Sequence, residues 1–144
     1  MSGNYEDDVT VTDCWSALSS DPDAFLIDVR TSAEWNFVGV PTTPGDSHPV
    51  LLAEWQSYPS MAVDPSFVED VTQHILRSGG TKESRLFFLC RSGARSMASA
   101  GALTGAGFLH CFNVLGGFEG PVDPDGHRGT VAGWKAEGLP WSQR

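Results

Sequence analysis

The chain has 144 residues, 40% of them apolar, which is length enough for one globular domain over residues 1–144 with a proper hydrophobic core. A formal net charge of −9 and a pI near 4.6 argue against nucleic acid or an anionic membrane surface as a partner, because both would be repelled overall. The opening residues 1–8 are polar and acidic, without the basic start and apolar run of a secretory signal, and nowhere do roughly eighteen apolar residues follow one another. A cytoplasmic protein with no membrane partner is expected.

Residues 9–11 read as an edge strand, after which Thr12 is placed to cap a short helix running to about Leu18. Ser19-Ser20-Asp21-Pro22-Asp23 breaks that helix, and residues 24–29 form the second strand, with Asp28 and Arg30 emerging at its end. Ligands of parallel sheets gather outside the carboxyl ends of the strands. Asp28 and Arg30 therefore either approach such a site or pair with neighbours, Arg30 with Glu34 for instance, and brace its rim. Residues 36–64 are rich in Pro, Gly, Ser and Thr, with one short strand expected at 50–53. Trp55, Tyr58 and Met61 form either a lid over the site or ordinary core packing. Asp64-Pro65 reads as an N-cap and first helical residue, opening a helix with Phe67, Val71 and Ile75 on one face and Gly79-Gly80 at its close.

The segment 85–89, apolar from Leu86 onward, is too short for a helix, rich in aromatics, and leads directly into Cys90-Arg91-Ser92-Gly93-Ala94-Arg95-Ser96. It reads as a strand buried on both faces of a parallel sheet, delivering a thiol to a helix start. Ser96 is expected to cap the next helix, over residues 97–104. A tight loop of backbone N–H groups at a helix N-terminus binds anions, and a thiolate is one. Gly93 gives the loop its permissive point, and Arg91 and Arg95 stand at the rim to draw in an anionic substrate. A strand at 109–115 completes alternating elements around a parallel core, an α/β architecture.

Residues 121–144 form an extension, with Trp134 and Trp141 as anchors. Asp123 and Asp125 around Gly126 only faintly suggest a calcium loop, since the glutamate such a loop requires is missing. The four histidines show no metal-ligand spacing, and Gly101, Gly105 and Gly107 stand in the wrong order for a dinucleotide fingerprint. No metal and no cofactor are expected. Cys14 and Cys111 read as small buried hydrophobes, a resolving role for Cys111 being the minor alternative.

The Cys90–Ser96 loop after an apolar strand resembles the active-site loop of rhodanese-type sulfurtransferases. The likeness extends over about residues 8–120. Leu26-Ile27-Asp28-Val29-Arg30 with Glu34-Trp35 resembles the family's early Asp-x-Arg strand end, and Asn113-Val114-Leu115-Gly116-Gly117-Phe118 its last strand and glycine turn. The resemblance implies a three-layer fold, a central parallel sheet flanked by helices, and sulfur transfer through a Cys90 persulfide. Arg91, Ser92, Gly93, Ala94 and Arg95 would then bind a small anionic donor such as thiosulfate, with Asp28, Arg30 and Ser96 in support. A thiol or cyanide, or a protein sulfur acceptor, would take the sulfur. Two alternatives stay open: a cysteine-dependent phosphatase or arsenate reductase, and a non-turnover sulfur carrier or partner-binding module. Phosphatases of the tyrosine type place their arginine six positions after the cysteine, whereas Arg95 stands five positions after Cys90.

Overall fold

The computed structural model describes residues 4–143, so the first three residues of the acidic opening lie outside it. In chain order the elements are β1 (Asp7–Val9), α1 (Val11–Ser20), β2 (Phe25–Asp28), α2 (Ser32–Val38), β3 (Val40–Pro41), β4 (Leu51–Leu52), β5 (Gln56–Ser57), β6 (Ala62–Val63), α3 (Phe67–Arg77), β7 (Arg85–Leu89), α4 (Ala94–Gly105), β8 (His110–Val114) and β9 (Trp141–Ser142). Five strands make one sheet in the order β1-β8-β7-β2-β4, every neighbouring pair parallel. The small pairs β3–β9 and β5–β6 are antiparallel.

Strand alternation sorts the core into two halves. Phe25, Ile27, Leu86 and Phe88 join Val71 and Ile75 of α3 and Leu103 of α4 on one face. Leu26, Phe87, Leu89 and Phe112 join Val11, Cys14 and Leu18 of α1, with Phe118 and Trp134, on the other. The result is the expected three-layer α/β fold. Because β7 and β2 are covered on both sides, they lack a polar face, which is why Phe25–Ile27 and Leu86–Leu89 run apolar, with charged residues only at the strand ends, Asp28 and Arg85.

Several expected boundaries move, each for a local reason. Helix α1 begins two residues early because Thr10, not Thr12, accepts the Asp13 N–H, and Val11 is then a buried helical residue and not part of the strand. Asp64 takes the Ser66 and Phe67 N–H groups, so α3 starts at Phe67 after a turn made by Asp64-Pro65-Ser66. Helix α4 begins at Ala94, which puts Ser96 inside its first turn and not at its cap. Helix α2 was not anticipated, although Thr31 and Glu34 form a reciprocal capping box at its start, a pattern readable as Thr-x-x-Glu. Of the two expected anchors in the extension, Trp134 is fully buried and Trp141 is half-exposed.

Candidate active site

The site is built at the carboxyl end of the sheet, where β7 stops and α4 starts. Cys90 is buried and its sulfur accepts the Gly93 N–H at 3.1 Å. Gly93 makes this possible with φ of 130°, a left-handed conformation that a side chain would strain, and it serves as the N-cap of α4. Sγ thus faces the first turn of a helix, where unpaired N–H groups and the helix dipole favour an anion. Arg91, Ser92 and Ala94 are exposed on the outer side of the loop.

A buried polar chain runs inward from the sulfur. Ser96 Oγ lies 3.3 Å from Sγ and 2.6 Å from Asn113 Oδ1, to which it donates; Asn113 Nδ2 in turn donates to Asp8 Oδ1 at 3.0 Å, and Tyr5 donates to the same oxygen at 2.8 Å. With the Ser96 proton engaged by Asn113, the Cys90 thiol can donate to Ser96 Oγ; once Cys90 ionises, the Ser96 hydroxyl can turn to the sulfur instead. Asn113 and Asp8 come from β8 and β1 and were not singled out as site residues. No short spacing links them to Cys90, so only the strand order places them here.

The loop is braced from below by the turn after β8. Phe118 N–H donates to Cys90 O at 2.8 Å, and the Glu119 and Gly120 amides donate to Arg91 O at 3.0 and 3.1 Å. Gly117 must be a glycine at this approach: a Cβ there would come within 2.4 Å of Cys90 O.

Asp28 and Arg30 form a fully buried ion pair, Arg30 Nη2 lying 2.7 Å from Asp28 Oδ2 and also donating to Gly39 O at 2.7 Å. The Arg30 guanidinium lies 4.2 Å from the centroid of Phe118, the residue whose amide holds Cys90. Arg30 pairs with Asp28 and not with Glu34. Glu34 instead takes Arg95 in a two-point pair, at 2.6 Å to Nη1 and 3.0 Å to Nη2. Burial alone would raise the Glu34 carboxyl, but the Arg95 hydrogen bonds, with those from Thr31, outweigh it and hold the group down at about 2. The hydrogen bonds to Glu34 push the Arg95 guanidinium above its ordinary range against the opposing effect of burial, with smaller contributions from the charges of Glu34, Cys90 and Asp28. Arg95 is therefore a neutralised strut between α4 and α2.

Beside the loop opens a cleft of about 620 Å³ whose lining includes Arg91, Arg95, Glu34, Tyr58, Met61 and Arg128. The 55–61 segment thus divides: Trp55 packs edge-on against Phe67 in the core, while Tyr58 and Met61 wall the cleft. Arg128 comes from the extension and was not anticipated. The Asp123 carboxylate that faintly suggested a calcium loop is occupied by its own turn, accepting from the Asp125 and His127 amides and the Thr130 hydroxyl. Among the described residues no three His, Cys, Asp or Glu side chains gather as a metal site. Cys14 and Cys111 are fully buried in the two core clusters, and burial raises both thiols, Cys111 to about 11.

Comparison with known proteins places this geometry. Residues 10–122 match the rhodanese-like domain family. The uncharacterized protein RC0915 of Rickettsia conorii is 35% identical over 130 residues, 90% of this chain and 92% of its own. The crystal structure of Rv0390 from M. tuberculosis superposes with a TM-score of 0.82 at 41% identity, covering 97% of this chain and 99% of that one. The polysulfide-sulfur transferase homodimer of Wolinella succinogenes shares the fold, with a TM-score of 0.58 at 20% identity over 99% of this chain and 82% of its own.

Proposed function

The chain belongs to the rhodanese-like domain family, and from that premise we propose that it is a sulfurtransferase that carries a sulfane sulfur on Cys90. The observation that carries this reading is the position of the Cys90 sulfur, buried at the end of β7 with the Gly93 amide on it and the start of α4 facing it. In the first step the Cys90 thiolate attacks the outer sulfur of an anionic donor such as thiosulfate. A new S–S bond forms on Cys90 while the donor's own S–S bond breaks, its electron pair leaving with sulfite. In the second step a thiolate or cyanide attacks the terminal sulfur, takes it, and returns Cys90 as a thiolate.

Each neighbour has a part in this scheme. The Gly93 amide and the Ser96 hydroxyl stabilise the anionic sulfur, and the amides of Phe118, Glu119 and Gly120 hold the loop on its strand. Asp28 and Arg30 act as positioning residues through Phe118. Arg95 acts through Glu34, fixing the first turn of α4 against α2, so its contribution is mainly orientation. The residues around Cys90 need no cofactor for this exchange, and a cytoplasmic setting keeps the three cysteines as thiols.

The test is direct. Mass spectrometry of the protein after thiosulfate treatment should show an excess of one sulfur atom, mapped to Cys90 and removed by cyanide. Cys90→Ala should abolish thiosulfate-to-cyanide transfer, while Cys14→Ala and Cys111→Ala retain it where they remain folded. Appreciable transfer by Cys90→Ala would overturn the assignment.

A further inference from the structure

The cleft beside Cys90 holds three arginines, and they are not equivalent. Arg95 is engaged at both ends of its guanidinium by Glu34, so its charge is already answered. Arg91 and Arg128 have no carboxylate within ion-pair distance among the described residues. Glu119 is the opposing charge on the cleft wall, which leaves one more cation than carboxylate around this opening of a chain whose net charge is −9.

Arg128 is held in place by more than chance. Its Nη1 donates to Gly120 O at 2.7 Å, and the amide of the same glycine donates to Arg91 O at 3.1 Å, so one backbone residue joins the extension's arginine to the cysteine loop. The turn that presents Arg128 is closed on both sides. The Asp123 amide donates to His127 O at 2.7 Å, the Gly129 amide donates to Glu119 O at 2.6 Å, and the Asp123 carboxylate organises the residues between. An arginine fixed at one nitrogen keeps its remaining donors in a known direction, with little side-chain entropy left to lose on binding.

We propose that Arg128, with Arg91, forms the anion clamp of this site, seating the oxyanion end of the sulfur donor while Arg95 serves as a strut. Arg128 lies in the extension beyond the family match at residues 10–122, whereas Arg91 belongs to the cysteine loop, so Arg128 is a specificity element added to the common core. The clamp rests on the sulfurtransferase reading of the same cleft. The substrate class it selects is a sulfur compound ending in an oxyanion; a neutral donor gains nothing from it.

Thiosulfate binding to the Cys90→Ser protein, which keeps the cleft and cannot turn over, separates the two ideas. Titration calorimetry should show Arg128→Gln raising the thiosulfate Kd about tenfold, the equivalent of one charge-assisted contact. Arg128→Lys should recover part of that loss. The unmutated clamp should also lose affinity more steeply with added salt than Arg128→Gln, a signature that loosening of the turn alone would not produce. A Kd for Arg128→Gln within twofold of the parent, or an identical salt dependence, overturns the clamp. If binding depends on Arg128 as stated but the protein with Cys90 intact takes up no sulfur from thiosulfate, the clamp stands and the sulfurtransferase reading fails.

Discussion

Replacing Asp28 by alanine isolates what the buried pair does. Both partners are fully buried; among the described residues Arg30 Nη1 has no hydrogen-bond partner, and Asp28 is the guanidinium's only counter-charge at contact distance. Removing one member of a buried pair leaves an uncompensated charge, at a cost of about 3–5 kcal/mol. At roughly 4 °C per kcal/mol for a chain of this size, Asp28→Ala should lower Tm by about 12–20 °C. The double variant Asp28→Leu/Arg30→Met removes the charge problem but leaves the buried Gly39 carbonyl without its donor, a residual cost of about 1–3 kcal/mol. It should therefore unfold about 2 kcal/mol later than Asp28→Ala in urea titrations followed by circular dichroism. If Asp28→Ala costs less than about 1 kcal/mol, or if the double variant is no more stable than the single one, the pair is not the buried charge unit described above. Persulfide formation should fall in both, because Arg30 packs on Phe118 and the Phe118 amide holds Cys90.

The Glu34–Arg95 strut gives a pH signature. Since the folded Glu34 carboxyl sits at about 2, below its unfolded value of about 4.3, its stabilisation is complete above that unfolded value and is lost as pH falls toward 2. The stability difference between the parent and Glu34→Gln should shrink across that window, and a difference that stays constant from pH 5 to about 2 would refute the pairing. Ser96→Ala leaves Asn113 Oδ1 without a donor and strips a hydroxyl from the sulfur; sulfur uptake by Cys90 should slow by about 10- to 100-fold, measured by single-turnover mass spectrometry, and an unchanged rate would remove Ser96 from the site. Aryl phosphates should not be hydrolysed above background. Inserting one glycine between Ala94 and Arg95 turns the first residues of α4 by roughly 100° against the loop, parting Arg95 from Glu34 and Ser96 from Asn113, and should cost about a hundredfold in sulfur transfer. Efficient aryl phosphate turnover without persulfide formation by the unaltered protein would reverse this choice of chemistry.

What could be read ahead of the structure is what the chain encodes locally. The runs at β2 and β7 lack any polar alternation, and that absence is itself the mark of strands covered on both faces. Cys90, Gly93 and the start of α4 lie within five residues of one another, so the cradle for the sulfur is visible as a phrase. Boundaries slipped where two candidates competed for one role: Thr10 and Thr12 are equally good caps in type, and only the pairing of Val9 with Val114 decides that the strand must already have ended. Ser96 sits inside α4 and not at its cap for a similar reason. As a serine near a helix start it looked like a cap, but the glycine before the helix took that position and freed the hydroxyl to turn inward.

Arg30 finds its carboxylate two positions away, but the partners of Arg95 and Asn113 are not local at all. Arg95 meets Glu34 across 61 positions, and Asn113 meets Asp8 across 105. Such pairs are fixed by strand order, and nothing in either segment's composition announces the other. The same holds for Arg128. Read in sequence it belongs to an irregular glycine-rich tail, where a lone arginine is ordinarily a solvated charge. It becomes part of the cleft because Trp134 is buried under the sheet and β9 pairs with β3, and these two attachments fold the extension back over the carboxyl end of the strands. The extension therefore does for the rim of the site what the Asp28–Arg30 pair does for its floor: each fixes a charge by burying its support elsewhere. A tail held only by Trp141, which is 40% exposed, would leave Arg128 free to move with solvent. Held also by the wholly buried Trp134, whose indole N–H reaches Pro140 O at 2.6 Å, it presents a guanidinium in a fixed place.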